Sequence, residues 1–597
     1  MTSYAAPIQE MRFVLSRLVG LDRLAELPGY EEATPELVDA ILEEAGKLAS
    51  GVLAPLNHSG DRERSVLENG IVRTPKGFKE AYAAYREGGW NSVPFSPDHG
   101  GQGLPWTVGM AIQEMWHSAN MAFGLCPTLN QSAVELLEAH GTPEQQRTYL
   151  EKLISGEWTG TMNLTEPQAG SDVGAVRTKA TRQDDGSYRI VGQKIFITYG
   201  EHDLTENIIH MVLARTPGAP DGIKGISLFI VPKLLVAEDG TPGARNDLRC
   251  AGLEHKLGIH ASPTCVMAFG DNGGATGYLV GEENRGIEYM FTMMNNARLS
   301  VGLQGVAIAE RAYQQARGYA RDRIQGRDMA TGKEGARIIQ HPDVRRMLMD
   351  MKAQTEAARA LTYHAAAALD RARRHPDAGE RRRAQALVDL LTPVVKAWST
   401  DVGCEVSSAG VQIHGGMGYI EETGAAQHFR DARIAPIYEG TNGIQANDLM
   451  FRKVARDGGA AAKAFIGEMN NFDELLVEES GDRLTAIRRR LAEAVKTLNE
   501  ATDHILRTVV TDQISVAAVA TPYLRMFGIV AGGYMMARSA LAAAEALEDG
   551  EGDPSFLEAK LVTAQHYADQ ILPQARGLLT PIIDGPRTIM ALAEDQF

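Results

Sequence analysis

The feature that most constrains the fold is a change in the spacing of apolar residues, which happens twice along the chain. Up to about residue 155 the apolar residues recur every three or four positions, the pattern of helices that bury one face. Near Trp158 the spacing changes to the alternation typical of strands, and from about Gly286 the helical spacing returns. This order predicts a helical domain, then a sheet domain, then further helices.

The central block contains strand and hairpin signals along its whole length. Residues 187–198 alternate between polar and apolar side chains and follow the turn Asp184-Asp185-Gly186, which predicts a hairpin. Further apolar runs lie at 208–214, 226–231, 264–269 and 278–280. The Pro- and Gly-rich segments 216–225 and 239–244 are predicted to be surface loops. We therefore expect a compact antiparallel sheet domain.

Long, alanine-rich amphipathic segments dominate the C-terminal half. They cover residues 302–319, 344–369 and 384–407, and the tail from Asp457 repeats the pattern at 484–505 and 534–547. At 597 residues the chain exceeds what one hydrophobic core supports. We predict an α+β multidomain protein with a helical N-terminal domain (1–160), a β domain (161–285), a helical bundle (286–456) and an additional helical C-terminal domain (457–597).

Composition excludes several classes of partner. The net charge of −16 disfavours nucleic acid and anionic membrane surfaces. The four cysteines lie far apart without a C-x-x-C pair, so neither a metal site nor a disulfide framework is expected. The N-terminus lacks the pattern of a signal peptide, and the apolar region 513–537 is interrupted by Pro522 and Arg525, whereas a membrane span needs about 20 apolar residues. We expect a cytoplasmic protein without membrane insertion.

The glycine-rich segment 99–105 lacks the context of a phosphate-binding loop. No strand precedes it, and no Gly-Lys-Ser/Thr follows it. The chain also lacks a βαβ alternation and a G-x-G-x-x-G motif after a strand, which disfavours a dinucleotide on a Rossmann sheet. Any redox nucleotide is therefore expected to be bound by loops and by a cleft between helices and sheet.

One carboxylate, Glu439, stands in an unusual local context. Apolar residues precede it, and the turn-forming sequence Gly440-Thr441-Asn442-Gly443 follows it. Such a context can hold an acid at the mouth of a dry pocket. Taken alone, however, a Glu before a Gly is typical of a solvated loop, because carboxylates are mostly exposed. The interpretation of Glu439 therefore depends on the rest of the chain.

Four separate segments give Glu439 a chemical setting. Residues 161–172, 192–198, 412–419 and 437–441 resemble, in order and spacing, the signature segments of the acyl-CoA dehydrogenase flavoproteins, and the resemblance covers about residues 30 to 450. It implies a helical N-terminal domain, a β-barrel-like middle domain and a helical bundle. It also implies FAD as the cofactor, lying between the sheet and the second helical domain. No metal is implied.

The resemblance assigns cofactor-binding roles residue by residue. The assigned residues are Met162, Leu164, Thr165, Ser171, Phe196, Thr198, Arg323, Gln412, Gly416, Thr441 and Gly443. Phe196 stands where many relatives have Trp, so an aromatic face is kept and the indole N–H is lost. Arg323 matches an arginine that contacts the FAD of a neighbouring subunit, which implies a homodimer or homotetramer. Gly443 replaces a Gln of many relatives.

The reaction implied is the removal of hydrogen from the α and β carbons of an acyl-CoA thioester. No side chain can accept a hydride, so a flavin must do so, and Glu439 is the predicted base for the α-proton. The resemblance places the thioester oxygen on the Glu439 backbone N–H and an FAD hydroxyl. It assigns substrate contacts to Ser171, Arg298, Tyr438 and Gly440, whereas Ala297 excludes the alternative base position that some relatives use.

The tail beyond residue 450 and the segment 254–264 resemble a long bacterial branch of this family, which includes an enzyme of dimethylsulfoniopropionate demethylation and other enzymes that oxidise ordinary fatty acyl-CoAs. The implied substrate is 3-methylthiopropionyl-CoA, and the implied electron acceptor is an electron-transferring flavoprotein. Three alternatives stay open: a short- or medium-chain fatty acyl-CoA dehydrogenase, an acyl-CoA oxidase, and a non-catalytic acyl-CoA-binding scaffold. Acyl-chain choice depends on pocket differences of about 1–3 kcal/mol, which the sequence does not reveal.

Overall fold

The computed structural model describes residues 4–478 and 482–597, and the chain divides into two compact units. The sheet unit contains Glu44–Leu104 and Met115–Ser300. The helical unit contains the N-terminal segment up to Glu43, Pro105–Glu114 and Val301–Phe597. The predicted order of helix, sheet and helix is confirmed. The four domain boundaries stay a prediction.

The strands lie in the sheet unit. They are β1 (Val66–Glu68), β2 (Ile71–Arg73), β3 (Thr159–Asn163), β4 (Lys179–Arg182), β5 (Tyr188–Thr198), β6 (Ile208–Ala214), β7 (Ser227–Pro232), β8 (Leu234–Val236), β9 (Pro242–Arg245), β10 (Leu248–Leu253), β11 (Thr264–Phe269) and β12 (Ala275–Val280). Eight of them form one sheet in the order β10-β11-β5-β12-β7-β6-β3, with β4 paired to β5. Its core consists of inward-facing side chains such as Ile190, Val212 and Phe229.

Three details of the sheet unit differ from the expectations. β3 pairs parallel with β6, although an antiparallel domain was predicted. The predicted loop 239–244 contains the start of β9, which pairs with β8 and begins at Pro242, a strand position where a missing N–H is tolerated. The hairpin β1–β2 lies within the predicted helical region; its turn is Asn69-Gly70, and both residues have positive φ. Asn-Gly is a strong hairpin signal that the helical interpretation overlooked.

The helices α1 to α11 are α1 (Ile8–Phe13), α2 (Leu21–Ala25), α3 (Pro35–Leu48), α4 (Ala54–Glu63), α5 (Phe78–Glu87), α6 (Trp106–Ala119), α7 (Met121–His140), α8 (Pro143–Ile154), α9 (Gly286–Asp322), α10 (Pro342–Arg374) and α11 (Ala378–His414). They are followed by α12 (Ala425–Ala432), α13 (Asn442–Asn447), α14 (Ala460–Glu478), α15 (Asp482–Thr508), α16 (Gln513–Ala518), α17 (Ala520–Glu548), α18 (Pro554–His566), α19 (Pro573–Gly577), α20 (Leu579–Asp584) and α21 (Pro586–Ile589). All five long helices predicted for the C-terminal half are present.

Two glycines allow α9 and α11 to approach closely in the helical unit. A Cβ atom at Gly305 would lie 2.2 Å from the carbonyl oxygen of Ser399, and one at Gly403 would lie 2.8 Å from the carbonyl oxygen of Gly305. Side chains at these positions would clash with backbone, which cannot move aside as a flexible side chain can. This close crossing sets the position of α11, which carries residues discussed below.

Helix α17 is long and apolar enough to cross a membrane by length and composition, but 89% of its most apolar window is buried inside the fold. Gly528 and Gly532 lie against the indole of Trp398, so the helix fills the core of the helical unit. Pro522 lies in the first turn of this helix, where a proline removes no intrahelical hydrogen bond. Such burial is typical of the core helix of a soluble protein.

Two buried ion networks connect distant segments of the helical unit. The Arg359 guanidinium donates to Glu114 at 2.7 Å and to Glu310 at 2.7 Å, and Arg359 is only 1% exposed. The Lys560 ammonium bridges Glu10 at 2.7 Å and Glu356 at 2.8 Å. Buried charges are tolerated only when they are paired and hydrogen-bonded in this way.

Candidate active site

Glu166 fixes the segment that follows strand β3. Its buried carboxylate accepts hydrogen bonds from the Lys194 ammonium at 2.8 Å, from the Thr178 hydroxyl at 2.6 Å and from the Arg177 backbone N–H at 2.7 Å. Burial alone would raise the pKa of Glu166, but these partners lower it to about 2. Lys194 also donates to the carbonyl oxygen of Leu164 at 2.9 Å. The segment is therefore tied to β5 at two points.

A β-bulge in β5 projects an aromatic ring beside this segment. Ile195 and Phe196 together oppose Val266 of β11, and the Ile195 N–H donates to the Thr165 carbonyl oxygen at 2.9 Å. Phe196 has φ +60° and is 57% exposed. A left-handed conformation is unfavourable for a bulky residue and clusters at functional sites. The bulge thus holds the Phe196 ring out of the core, one residue after the backbone bond to Thr165.

The other candidate residues of the sheet unit lie on two strands, in one loop and on helix α9. Met162 lies on β3, three residues before Thr165, and Thr198 lies at the end of β5 opposite Thr264. Ser171 is exposed in the loop after β3. Arg298 is buried on α9, beside the buried Ala297 that rules out a second base.

Glu439 lies in a tight left-handed turn of the helical unit, after helix α12. Glu439 and Gly440 have φ values of +55° and +82°. The Tyr438 N–H donates to the Ile434 carbonyl oxygen at 3.1 Å, and the Asn442 N–H donates to the Pro436 carbonyl oxygen at 2.9 Å, so the chain reverses around the carboxylate. Glu439 itself is half-buried. This conformation is unfavourable for a residue other than glycine, so the surrounding contacts must hold it in place.

The neighbours of Glu439 are fixed by their own contacts. The Tyr438 hydroxyl donates to the side-chain oxygen of Gln304, and burial, together with the charge of Glu439, raises the pKa of Tyr438. Tyr438 therefore stays a hydrogen-bond donor at neutral pH. The Thr441 hydroxyl caps α13 by accepting from the Ile444 N–H at 3.3 Å. Gly443 is exposed, and a side chain there would meet no close atom.

A third group of candidate residues lies where α9 and α11 end. The rings of Tyr319 and His414 stack with centroids 4.4 Å apart, which brings the end of α9 beside that of α11. Arg323, Gln412 and Gly416 are all exposed here. The surrounding exposed apolar residues are Ile324, Met417, Tyr419 and Ile420. An exposed apolar surface of this kind marks an interaction site.

The sequence motifs included Glu166 and Lys194 but gave neither a role. A signal was present, because Lys194 stands on the inward face of β5 in register with Tyr188 and Ile190. A lysine at an inward strand position requires a buried partner. The sequence likewise indicates only a turn for Asn442, whose side-chain contacts are discussed below.

Comparison with known domain families covers most of the chain. The N-terminal domain of acyl-CoA dehydrogenases matches residues 38–157, the middle domain matches 161–272 and the C-terminal domain matches 284–453. A family described as acetyl-CoA dehydrogenase C-terminal like matches residues 465–593. The chain belongs to the acyl-CoA dehydrogenase family and is an FAD-dependent enzyme.

Two relatives with known activities align with almost the whole chain. The chain is 50% identical over 583 residues, 98% of either chain, to the 3-methylmercaptopropionyl-CoA dehydrogenase of Ruegeria pomeroyi. It is 36% identical, over the full length of both chains, to a broad-specificity linear acyl-CoA dehydrogenase of Mycobacterium tuberculosis.

Solved structures show the same fold. Butyryl-CoA dehydrogenase from Megasphaera elsdenii has a TM-score of 0.56 at 29% identity, over 69% of this chain and 97% of that one. An acyl-CoA dehydrogenase from Bacillus anthracis, solved with FAD, has a TM-score of 0.73 at 19% identity, over 97% of this chain and 95% of that one.

The surfaces around the candidate residues fit such a cofactor. The exposed ring of Phe196, held beside the Thr165 backbone, offers an apolar face to a planar ring system. The exposed guanidinium of Arg323 suits a pyrophosphate, because its planar fork can donate two parallel hydrogen bonds.

Replacing Lys194 with Met is expected to weaken FAD binding by about tenfold or more. The change leaves the Glu166 carboxylate buried without a cation, and burying an unpaired charge costs several kcal/mol, so the segment 164–166 is expected to rearrange. Fluorescence titration of the apoprotein with FAD measures the effect. Lys79→Met is the matched control, because Lys79 pairs with Asp203 at the surface of the same unit. Equal FAD affinity in the two variants would contradict the role of Lys194.

Proposed function

We propose that the enzyme oxidises 3-methylthiopropionyl-CoA to its 2-enoyl-CoA, with Glu439 as the base. The observation that carries this proposal is the 50% identity, over 98% of both chains, to the 3-methylmercaptopropionyl-CoA dehydrogenase of Ruegeria pomeroyi. A fatty acyl-CoA dehydrogenase of short or medium chain length is the second candidate, since relatives with 33% identity include a butyryl-CoA dehydrogenase.

In the proposed reaction the Glu439 carboxylate takes the proton from the α carbon of the thioester. The left-handed turn and the fixed Tyr438 hold this carboxylate in place, as a general base requires. The Glu439 backbone N–H is assigned to the thioester oxygen, where negative charge develops. FAD, when bound, supplies the acceptor for the β-hydride. The double bond then forms between the α and β carbons.

We assign the other candidate residues to the cofactor or to the substrate. Met162, Leu164, Thr165, Phe196 and Thr198 are assigned to the flavin, and Thr441 and Gly443 to its other contacts. Ser171, Arg298, Tyr438 and Gly440 are assigned to the acyl-CoA, with Ser171 shared between cofactor and substrate. The left-handed turn supports the role of Gly440, because its φ of +82° favours glycine.

The enzyme is proposed to form a homodimer or homotetramer. Arg323, Gln412 and Gly416 are assigned to the FAD of a neighbouring subunit, and the exposed apolar side chains around them support an interface there. An electron-transferring flavoprotein is the proposed acceptor, and the cytoplasm is the proposed location. The four cysteines are all free, which fits a reducing compartment.

A panel of acyl-CoAs tests the substrate. The matched comparison is pentanoyl-CoA, in which a methylene replaces the sulfur of 3-methylthiopropionyl-CoA without changing chain length. We expect kcat/KM for the thioether to exceed that for pentanoyl-CoA and butyryl-CoA by about tenfold, a difference that one pocket contact can supply. Anaerobic flavin bleaching and steady-state turnover with an electron-transferring flavoprotein give the values.

Other outcomes would select an alternative function. A preference for butyryl- to octanoyl-CoA would indicate a fatty acyl-CoA dehydrogenase, and hydrogen peroxide released at the turnover rate would indicate an oxidase. A purified protein without yellow colour would indicate a non-catalytic acyl-CoA-binding scaffold.

A further inference from the structure

Asn442 ties the Glu439 turn to helix α11. Its side-chain N–H groups donate to the Asp401 carboxylate at 2.8 Å and to the Ala397 carbonyl oxygen at 3.1 Å. Its side-chain oxygen accepts from the Lys396 ammonium at 2.9 Å. The backbone N–H of the same residue closes the turn onto Pro436 at 2.9 Å. The backbone of Asn442 thus closes the turn, and its side chain attaches the turn to α11.

The charges around the Asn442 amide require a side chain that has both a hydrogen-bond acceptor and a hydrogen-bond donor. Lys396 is fully buried, and burial raises the pKa of Asp401. Glu405 and Arg525, which form an ion pair at 2.8 Å, also face Asp401, the first raising and the second lowering its pKa. At neutral pH an amide can accept from the ammonium with its oxygen and donate to the carboxylate with its nitrogen. Neither a carboxylate nor an apolar side chain can satisfy both partners.

Gln445 holds the opposite side of the turn. Its side-chain amide donates to the carbonyl oxygens of Glu439 at 3.1 Å and Gly440 at 3.4 Å. These bonds fix the peptide planes of the two left-handed residues. These bonds lie within the turn, whereas the side-chain bonds of Asn442 connect the turn to α11.

We propose that Asn442 is a positioning residue for the α-proton base, acting through its amide bridge between Lys396 and Asp401. The inference rests on the proposed role of Glu439. The turn carries the carboxylate, and the amide sets the place of the turn on a helix that is itself fixed by the close crossing at Gly305 and Gly403. A displacement of about 1 Å at a catalytic group can lower a rate by about a hundredfold.

Two variants at residue 442 test the proposal. Asn442→Ala is expected to lower kcat by about 10- to 100-fold while KM stays within about threefold, because positioning acts on the chemical step. Asn442→Asp keeps the shape but sets a second carboxylate against Asp401. Two such carboxylates share one proton at low pH, and the protonated oxygen can then donate as the amide does. The kcat of Asn442→Asp, relative to wild type, is therefore expected to rise as pH falls, whereas the ratio for Asn442→Ala stays flat.

Asn499→Ala is the matched control. Asn499 also bridges a lysine and an aspartate, accepting from Lys463 at 2.7 Å and donating to Asp503 at 3.3 Å, but it lies on α15. Its replacement is expected to leave kcat and the pH profile unchanged. Wild-type kcat in Asn442→Ala, a change in KM alone, or a pH-independent ratio for Asn442→Asp would overturn the proposal.

The failure of this inference can be told apart from failure of the proposed function. If Glu439→Gln is inactive and Asn442→Ala has wild-type kcat, only the positioning role is lost. If Glu439→Gln reduces the flavin normally, the base assignment itself fails. The Asn442→Asp variant covers the case in which Asn442→Ala does not fold, because Asp has nearly the same shape as Asn. Melting temperature and bound-flavin absorbance confirm that each variant is folded and loaded.

Discussion

Glu439→Gln is expected to bind FAD and acyl-CoA normally and yet to reduce its flavin about 10²- to 10⁴-fold more slowly than the wild type. The amide has the shape of the carboxylate but cannot accept the α-proton, and a positioned general base contributes about 10²- to 10⁴-fold to a rate. The left-handed turn does not depend on the carboxylate, because its backbone hydrogen bonds come from Tyr438 and Asn442. Anaerobic bleaching of the flavin after mixing with 3-methylthiopropionyl-CoA measures the rate.

A nearby carboxylate provides the control for this experiment. Glu421 pairs with Arg430 at 2.8 Å and is more than half exposed. Glu421→Gln removes the same charge from the same unit and is expected to bleach at the wild-type rate. Undiminished bleaching in Glu439→Gln would remove Glu439 as the base.

Arg359→Met is expected to lower the free energy of unfolding of the helical unit by about 3–5 kcal/mol, the usual effect of breaking a buried ion pair from one side. The methionine fills much of the same volume but leaves Glu114 and Glu310 buried without their cation. Burial already raises the pKa of Glu114, and the loss of Arg359 would raise it further. The midpoint of urea unfolding, followed by circular dichroism, measures the change.

Arg346→Met is the comparison on the same helix. Arg346 pairs with Asp343 and Asp350 at 2.9 Å, but it is half exposed, so its ion pairs contribute less than about 1 kcal/mol. A similar decrease in the free energy of unfolding in both variants would show that the buried network stabilises the fold no more than exposed ion pairs do.

Local spacing predicted individual elements better than it predicted their pairing. The apolar runs at 208–214 and 264–269 correspond to β6 and β11, because almost every side chain of these two strands is buried and a continuous apolar run is typical of such a strand. The parallel pairing of β3 with β6 was not visible, since residues 164–207 separate the two strands and the alternation of side chains does not encode strand direction. The short hairpin at Asn69-Gly70 had a turn signal but only three residues in each strand.

In the candidate site, too, local features were easier to predict than contacts between distant segments. The assignment of Glu439 comes from four separate segments that resemble one family, whereas its turn was visible locally because the residues that form it are contiguous. The bridge from Asn442 to Lys396 and Asp401 spans more than 40 residues and depends on how α11 crosses α9, so no local pattern reveals it. The exposed ring of Phe196 depends on a bulge whose second strand lies about 70 residues later.

The bridge between Glu10 and Lys560 has a consequence for the order in which the protein is made. The two residues are 550 positions apart, yet both are almost fully buried in one network with Glu356. At about 5–20 residues per second, the ribosome needs roughly half a minute to two minutes to add the lysine after the glutamate has been synthesised. The first helix therefore waits for nearly the entire chain before its carboxylate gains its cation. The ion pair between these two ends of the chain therefore cannot form before Lys560 has been synthesised.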